Sequence, residues 1–221
     1  MLQESIHTEP ISPLRPSDSI VEALDHMEEW KLAHLPLVDA GGTYLGLISE
    51  DALLAAADDR AQVHTVLNPA FAPSVLPKSH AFAVMDVCTR DRITIIPIVN
   101  AKGLYEGAHL LTDVLEFFRG TPALSQPGAI LVLFAPLSTY SLAEIASAVE
   151  QNDAKVLAIW LTKTKAVSDI EITLKINLEH SGPIVQSLQR YGYEIGGIFG
   201  DKNFDEDYQQ RYDHLMNYLK Y

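Results

Sequence analysis

Apolar residues recur along this chain with two different periods, and the places where one period gives way to the other mark out its elements. Ile20, Ala23, Leu24 and Met27 stand at i, i+3, i+4 and i+7, the spacing that lines one face of a helix. Ser19 followed three residues on by Glu22 marks the start of that helix, since each side chain can satisfy the other's free backbone amide. A β-rich run over residues 34–39, a turn at Gly41 and Gly42, a second strand and a helix starting near Glu50 follow. The order then recurs. Ala81, Val84, Met85 and Cys88 form the helical stripe, residues 94–100 the β-rich run, Gly103 the turn, and a helix starts near Thr112. With a strand leading into each, the pattern predicts β-α-β-β-α twice, over residues 11–57 and 72–118.

The recurrence is a true duplication. Pro16/Pro77, Pro36/Pro97, Val38/Val99, Gly42/Gly103, Tyr44/Tyr105 and Gly46/Gly107 all keep an offset of 61 residues. A unit this short buries little apolar surface alone, so two copies are expected to pack on each other and to enclose clefts suited to a ligand.

Two prolines and a glycine punctuate the chain between residues 121 and 128, which predicts a linker over 121–127 after an N-terminal block of residues 1–120. Beyond it the pattern gives strands at 129–135, 154–162, 169–176 and 193–199, and helices at 141–152 and 182–191. Leu142, Ile145, Ala146 and Val149 are read as the inward face of the first of these helices. The order β-α-β-β-α-β over residues 128–200 is that of a ferredoxin-like sheet with helices on one side, so the whole chain is classed as α+β. Residues 201–221 carry Phe204, Tyr208, Tyr212, Leu215 and Leu219 at helical spacing, which predicts an amphipathic C-terminal helix.

Composition narrows the function. Eight basic side chains stand against seventeen acidic ones over residues 1–120, and eight against twelve over 121–221, in a chain whose formal net charge is −13. Neither half supplies the positive field that a nucleic-acid backbone demands. The longest apolar runs have strand length, well short of a bilayer-spanning helix, and the N-terminus lacks a secretory pattern, so a cytoplasmic location is expected. Cys88 is the single cysteine and takes the place of Met27 in the first helical stripe, which reads as a packed thiol rather than a nucleophile. The eight histidines are scattered without metal-ligand spacing. No nucleophile, base and orienting group form a triad, so no catalytic residue, metal or required cofactor is expected.

Laid side by side, the repeats resemble a pair of CBS domains, the adenosine-sensing modules. Repeat one carries the resemblance best, in Ala-His-Leu-Pro-Leu-Val-Asp at residues 33–39 and Gly-Thr-Tyr-Leu-Gly-Leu-Ile-Ser-Glu-Asp-Ala-Leu-Leu at residues 42–54. Residues 128–200 resemble an ACT domain, with Ser-Leu-Ala-Glu-Ile-Ala-Ser-Ala-Val at 141–149 matching its first helix. The combination is similar to the bacterial acetoin-utilisation accessory proteins, and implies a non-catalytic regulatory ligand sensor that assembles as a homodimer.

In the CBS family a Ser or Thr, followed three residues on by an Asp, holds the ligand at the start of the closing helix. A carboxylate accepts from paired ribose hydroxyls, while a hydroxyl and a helix N-terminus suit phosphate. Repeat one has Ser49 with its acid two residues on, at Asp51. Repeat two keeps Asp113 at the family distance from Gly107 but has Leu110 in place of the hydroxyl, with Thr112 directly before the acid. The resemblance therefore implies Asp113 as ribose partner and Ser49 as phosphate partner. Pro36, Ile48, Asp51, Pro97, Leu110 and Thr112 complete the candidate ligand-binding set. For Asp51 and Asp113 helix capping is the alternative. Surplus acid favours AMP or S-adenosylmethionine over ATP. The competing expectation is a ligand-free assembly protein built from degenerate CBS and ACT modules. In the ACT-like half Tyr140 falls where amino-acid-binding relatives place a glycine, which points that half toward subunit pairing.

Overall fold

The structure, a computed structural model, describes residues 6–163 and 168–201, so all but the first residue of the expected C-terminal helix lies outside it. The chain divides into two compact units, Met1–Phe118 and Arg119–Tyr221.

The first unit contains both repeats. Repeat one comprises α1 (Ile20–Trp30), β1 (His34–Val38), β2 (Tyr44–Ser49) and α2 (Glu50–Leu54). Repeat two comprises α3 (Ala81–Asp91), β3 (Ile95–Val99), β4 (Tyr105–Leu110) and α4 (Leu111–Arg119). The capping box at Ser19 and Glu22 forms, with Ser19 N–H donating to Glu22 Oε2 at 2.8 Å and Glu22 N–H to Ser19 Oγ at 3.2 Å. Its counterpart in repeat two is His80, whose Nδ1 accepts from Phe82 N–H. Of the stripe on α3, Ala81, Val84 and Cys88 are buried, while Met85 turns outward and Val87 packs inward.

The leading strand of each repeat is shorter than expected. It is a single parallel bridge, Leu14 to Leu37 in repeat one and Val75 to Ile98 in repeat two. Pro13 and Pro16 on one side, and Pro73 and Pro77 on the other, lack the amides needed to lengthen the ladder.

The two repeats meet about a pseudo-twofold axis. Thr43 and Leu104, 61 residues apart, pair with each other in an antiparallel bridge. Around them Tyr44 N–H donates to Gly103 O at 2.9 Å and Tyr105 N–H to Gly42 O at 3.0 Å, a crossed pair. The crossing extends outward. The Tyr44 hydroxyl donates to Pro73 O and the Tyr105 hydroxyl to Ile11 O, both at 3.0 Å. Glu9 bridges Ala108, while Leu47 N–H reaches Phe71 O. Each hairpin is thus completed by the segment leading into the other repeat. One hydrophobic core runs through both, from Ile20, Leu35 and Ile48 to Val84, Ile96 and Val114.

Cys88 belongs to that core at 4% exposure, and its Sγ donates to Ile93 O at 2.8 Å. Burial pushes the thiol pKa up, which suppresses the reactive thiolate. A thiol-reactive disulfide should leave the folded protein unmodified and titrate one thiol once denaturant opens the unit, as read from the released chromophore.

The second unit begins with a single helical turn, α5 (Pro122–Ser125), inside the expected linker. It continues as β5 (Ile130–Pro136), α6 (Leu142–Glu150), β6 (Val156–Lys163), β7 (Asp169–Ile176), α7 (Gly182–Arg190) and β8 (Glu194–Phe199). The strands lie in the order β6-β7-β5-β8, antiparallel throughout, which is the ferredoxin-like topology. Leu131, Leu133, Ile172 and Leu174 point to the helix-covered face, against Ile145, Ala148 and Val149 of α6 and Ile184 and Leu188 of α7. Leu142, expected inward, is half exposed, and the small Ala148 takes the buried place where α6 meets α7. Asp201 closes the unit by accepting the Ser181 N–H at 2.6 Å, which caps the start of α7 from beyond β8.

The other face of this sheet, away from α6 and α7, carries Glu171, Thr173 and Lys175 of β7 as well as apolar side chains. Register places Ile130, Val132 and Phe134 of β5 on it, beside Trp160, 45% exposed, and Phe199, 57% exposed.

Candidate functional site

A cleft of about 190 Å³ opens between the segment leading into repeat one and the body of repeat two. The incoming segment gives Ile6 and Thr8. The turn before α3 gives Pro77, Lys78 and Ser79, and the β3–β4 hairpin gives Ile98, Glu106 and His109. The crossed pairing explains why these distant stretches meet: Glu9 is bound to Ala108, so the residues just before it lie along β4.

His109 is the most constrained polar group there. It is 5% exposed, and its Nδ1 lies 2.7 Å from His7 O. A carbonyl can only accept, so Nδ1 carries a proton directed at His7 O. Glu106 is exposed and held by Asn100, whose Nδ2 donates to Oε1 at 2.8 Å. Lys78 is exposed, with a φ of 63° that swings the turn outward before α3. The Ser79 hydroxyl donates to Leu76 O at 2.7 Å and keeps its lone pairs for an incoming donor. Ile6, Pro77 and Ile98 form the apolar part of the wall. The cleft therefore offers an apolar surface for a flat ring, the oxygens of Glu106 and Ser79, the ring of His109 and, among the described residues, one cation.

None of the eight residues expected from the family pattern lines this cleft. Pro36, Ile48 and Pro97 are buried, and the Pro36 and Pro97 carbonyls accept from Leu14 and Val75. Ser49 caps α2, its Oγ accepting from Ala52 N–H at 3.2 Å. Asp51 is exposed on α2, and its charge partly offsets the burial that lowers the pKa of His34, whose buried Nδ1 has no hydrogen-bond partner among the described residues. Asp113 Oδ2 accepts the Leu110 N–H at 3.1 Å, which caps α4, and Thr112 is exposed beside it. The structure thus gathers Leu110, Thr112 and Asp113 at one helix start and Ser49 and Asp51 at the other, with Ser49 and Asp113 each accepting a backbone amide of its helix end.

The residues that do line the cleft left one trace in the sequence. At the 61-residue offset Glu106 and His109 stand where repeat one has Leu45 and Ile48, and Lys78 where it has Ser17. Positions at which one copy turns polar against an apolar twin are where a duplicated unit has acquired a separate task. In the second unit Tyr140 packs against the core at the turn after β5, and among the described residues no group of His, Cys, Asp and Glu is arranged to hold a metal ion. No described helix is long and apolar enough to cross a membrane.

Residues 4–59 match the family model described as CBS domain. Among solved structures, the chain is similar to a CBS domain pair/ACT domain protein from Thermotoga maritima, at 19% identity over 52% of this chain and 96% of that one, with a TM-score of 0.47. It is similar also to an acetoin utilization protein (AcuB) from Vibrio cholerae, at 23% identity over 53% and 91%, TM-score 0.46. A third is CBSX2 in complex with AMP, at 21% identity over 49% and 90%, TM-score 0.44. The family match thus falls on repeat one, and the structure repeats the order of its elements once more in the second half of the first unit.

Proposed function

We propose that this chain is a non-catalytic, cytoplasmic regulatory protein that senses an adenine nucleotide or adenosyl compound in the cleft at repeat two. The observation that carries the reading is the cleft itself, an apolar wall with His109 and Glu106 as acceptors and Lys78 as the one lining cation among the described residues. The ring of an adenine lies against Ile98 and Pro77, and its exocyclic amine donates to His109 Nε2. Glu106 accepts from the ribose hydroxyls, as carboxylates do with paired donors, and Lys78 meets the phosphate. One cation and a cavity below the ~300 Å³ typical of drug-sized ligands favour a nucleoside monophosphate over a triphosphate. Asp113 and Ser49, occupied in capping, support the helices from behind.

Isothermal titration of the full chain with AMP, ATP and S-adenosylmethionine tests the reading, with AMP expected to bind most tightly. Silence from all three would defeat it. The second reading, assembly without a ligand, draws on the exposed Trp160 and Phe199 on the sheet face away from α6 and α7. It would stand if the titrations were silent and light scattering gave a dimeric mass.

A further inference from the structure

We infer that each chain takes up one such ligand and not two, because the connector between the repeats occupies the twin of the open cleft. The inference rests on the nucleotide reading above and adds the stoichiometry and the place of binding. The pseudo-twofold axis gives each lining residue of repeat two a counterpart 61 positions earlier: Pro16 for Pro77, Ser17 for Lys78, Asp18 for Ser79 and Leu37 for Ile98. A symmetric pair would therefore present a second cleft beside Pro16, Ser17 and Asp18.

That place is filled by the chain's own backbone. Ile20 N–H donates to Ala61 O at 3.0 Å and Val21 N–H to Asp59 O at 3.2 Å, so the first amides of α1 are already spent. Val63 N–H donates to Asp18 O at 2.9 Å, Gln62 bridges Ser19, and His64 Nδ1 lies 3.0 Å from Pro16 O. Val63 is fully buried beneath this strap. Farther in, Leu45 and Leu67 pack against the common core, and Leu67 Cδ1 stands 3.0 Å from where a Cβ on Gly46 would be. Repeat two differs at the second helix amide, where Phe82 N–H donates to His80 Nδ1 while Val21 N–H donates to Asp59 O, and in two lining side chains; the packing at Gly107, with Thr8 Cγ2 2.9 Å from where a Cβ would be, matches that at Gly46. The start of α3 is capped locally by His80, and Lys78 stands exposed before it. The position of Leu45 is taken by Glu106 and that of Ile48 by His109. A ligand entering the repeat-one side would have to strip a bonded connector and bury its polar groups against leucine.

Titration calorimetry with AMP on the full chain should give one ligand per chain. Lys78→Glu should raise Kd about tenfold or more, while Ser17→Glu at the equivalent exposed position should leave it within about twofold. Both positions are exposed, and matching melting curves establish that the variants fold. Two ligands per chain, or equal weakening by the two substitutions, or no effect of Lys78→Glu, would overturn the inference while AMP binding itself upheld the broader reading. Silence from AMP, ATP and S-adenosylmethionine alike would overturn both.

Discussion

Gly128→Ala should cost the C-terminal unit about 4 kcal/mol or more, enough to leave it unfolded or aggregated when the N-terminal unit still folds. Gly128 has a φ of 145°, which a side chain rarely tolerates, and a methyl group there would stand 1.9 Å from Ile176 O, inside any possible contact. The obstacle is main chain and cannot rotate aside. Gly128 O also accepts from the Lys175 amine at 2.6 Å, and Ala129 exchanges backbone bonds with Ile176 and Leu178. The methyl would therefore pry β5 from β7 at the centre of the four-stranded sheet. Denaturant unfolding followed through Trp160, which lies in this unit, reads the loss; an unchanged midpoint would show that the strand pair yields more easily than the geometry implies.

Alkaline solution should loosen the N-terminal unit. Tyr44 and Tyr105 are each held across the two repeats with their hydroxyls bonded to carbonyls, and burial raises the pKa of both well above the ordinary phenol value. A group whose pKa is raised on folding stabilises fully below its unfolded value, near 10 for tyrosine, and loses that contribution as pH climbs toward the folded value. Above pH 10 the unfolded chain ionises these phenols and the folded chain does not, so each should remove about 1.4 kcal/mol of stability per pH unit. The Tyr44→Phe/Tyr105→Phe protein should be less stable near pH 8, by about 1 kcal/mol per lost hydrogen bond, yet show a shallower decline above pH 10. Tyr193 of the other unit, also raised by burial, stays in both proteins and cancels from the comparison. Parallel declines would mean that water reaches the two hydroxyls freely.

Much of this fold was legible because its elements advertise themselves locally. The helical stripe from Ile20, the capping box at Ser19 and the matched prolines and glycines of the two copies each act within a few residues, and the constant offset exposes the duplication without any knowledge of space. The ferredoxin-like order follows from alternation and turns in the same way. What stayed hidden depends on contacts far apart in the chain. Asp201 caps a helix that starts twenty residues earlier, and Thr8 reaches the cleft only because Glu9 is bound to Ala108. The family pattern directed attention to Ser49 and Asp113, whose spacing suits a ligand and a helix cap equally well; the hydrogen bonds to Ala52 and Leu110 are of the second kind. The residues around the cleft were marked only by contrast between copies, a signal that appears when the copies are subtracted rather than aligned.

The self-paired bridge of Thr43 with Leu104 bears on how such a molecule arises. Two equivalent positions meeting on an axis need no evolved complementarity, since a lone ancestral half could already have joined its identical twin by the same crossed bonds. Gene fusion would then have added a tether without altering the contact. Once covalently joined, the halves are free to stop mirroring each other, as Leu45 and Ile48 against Glu106 and His109 now do.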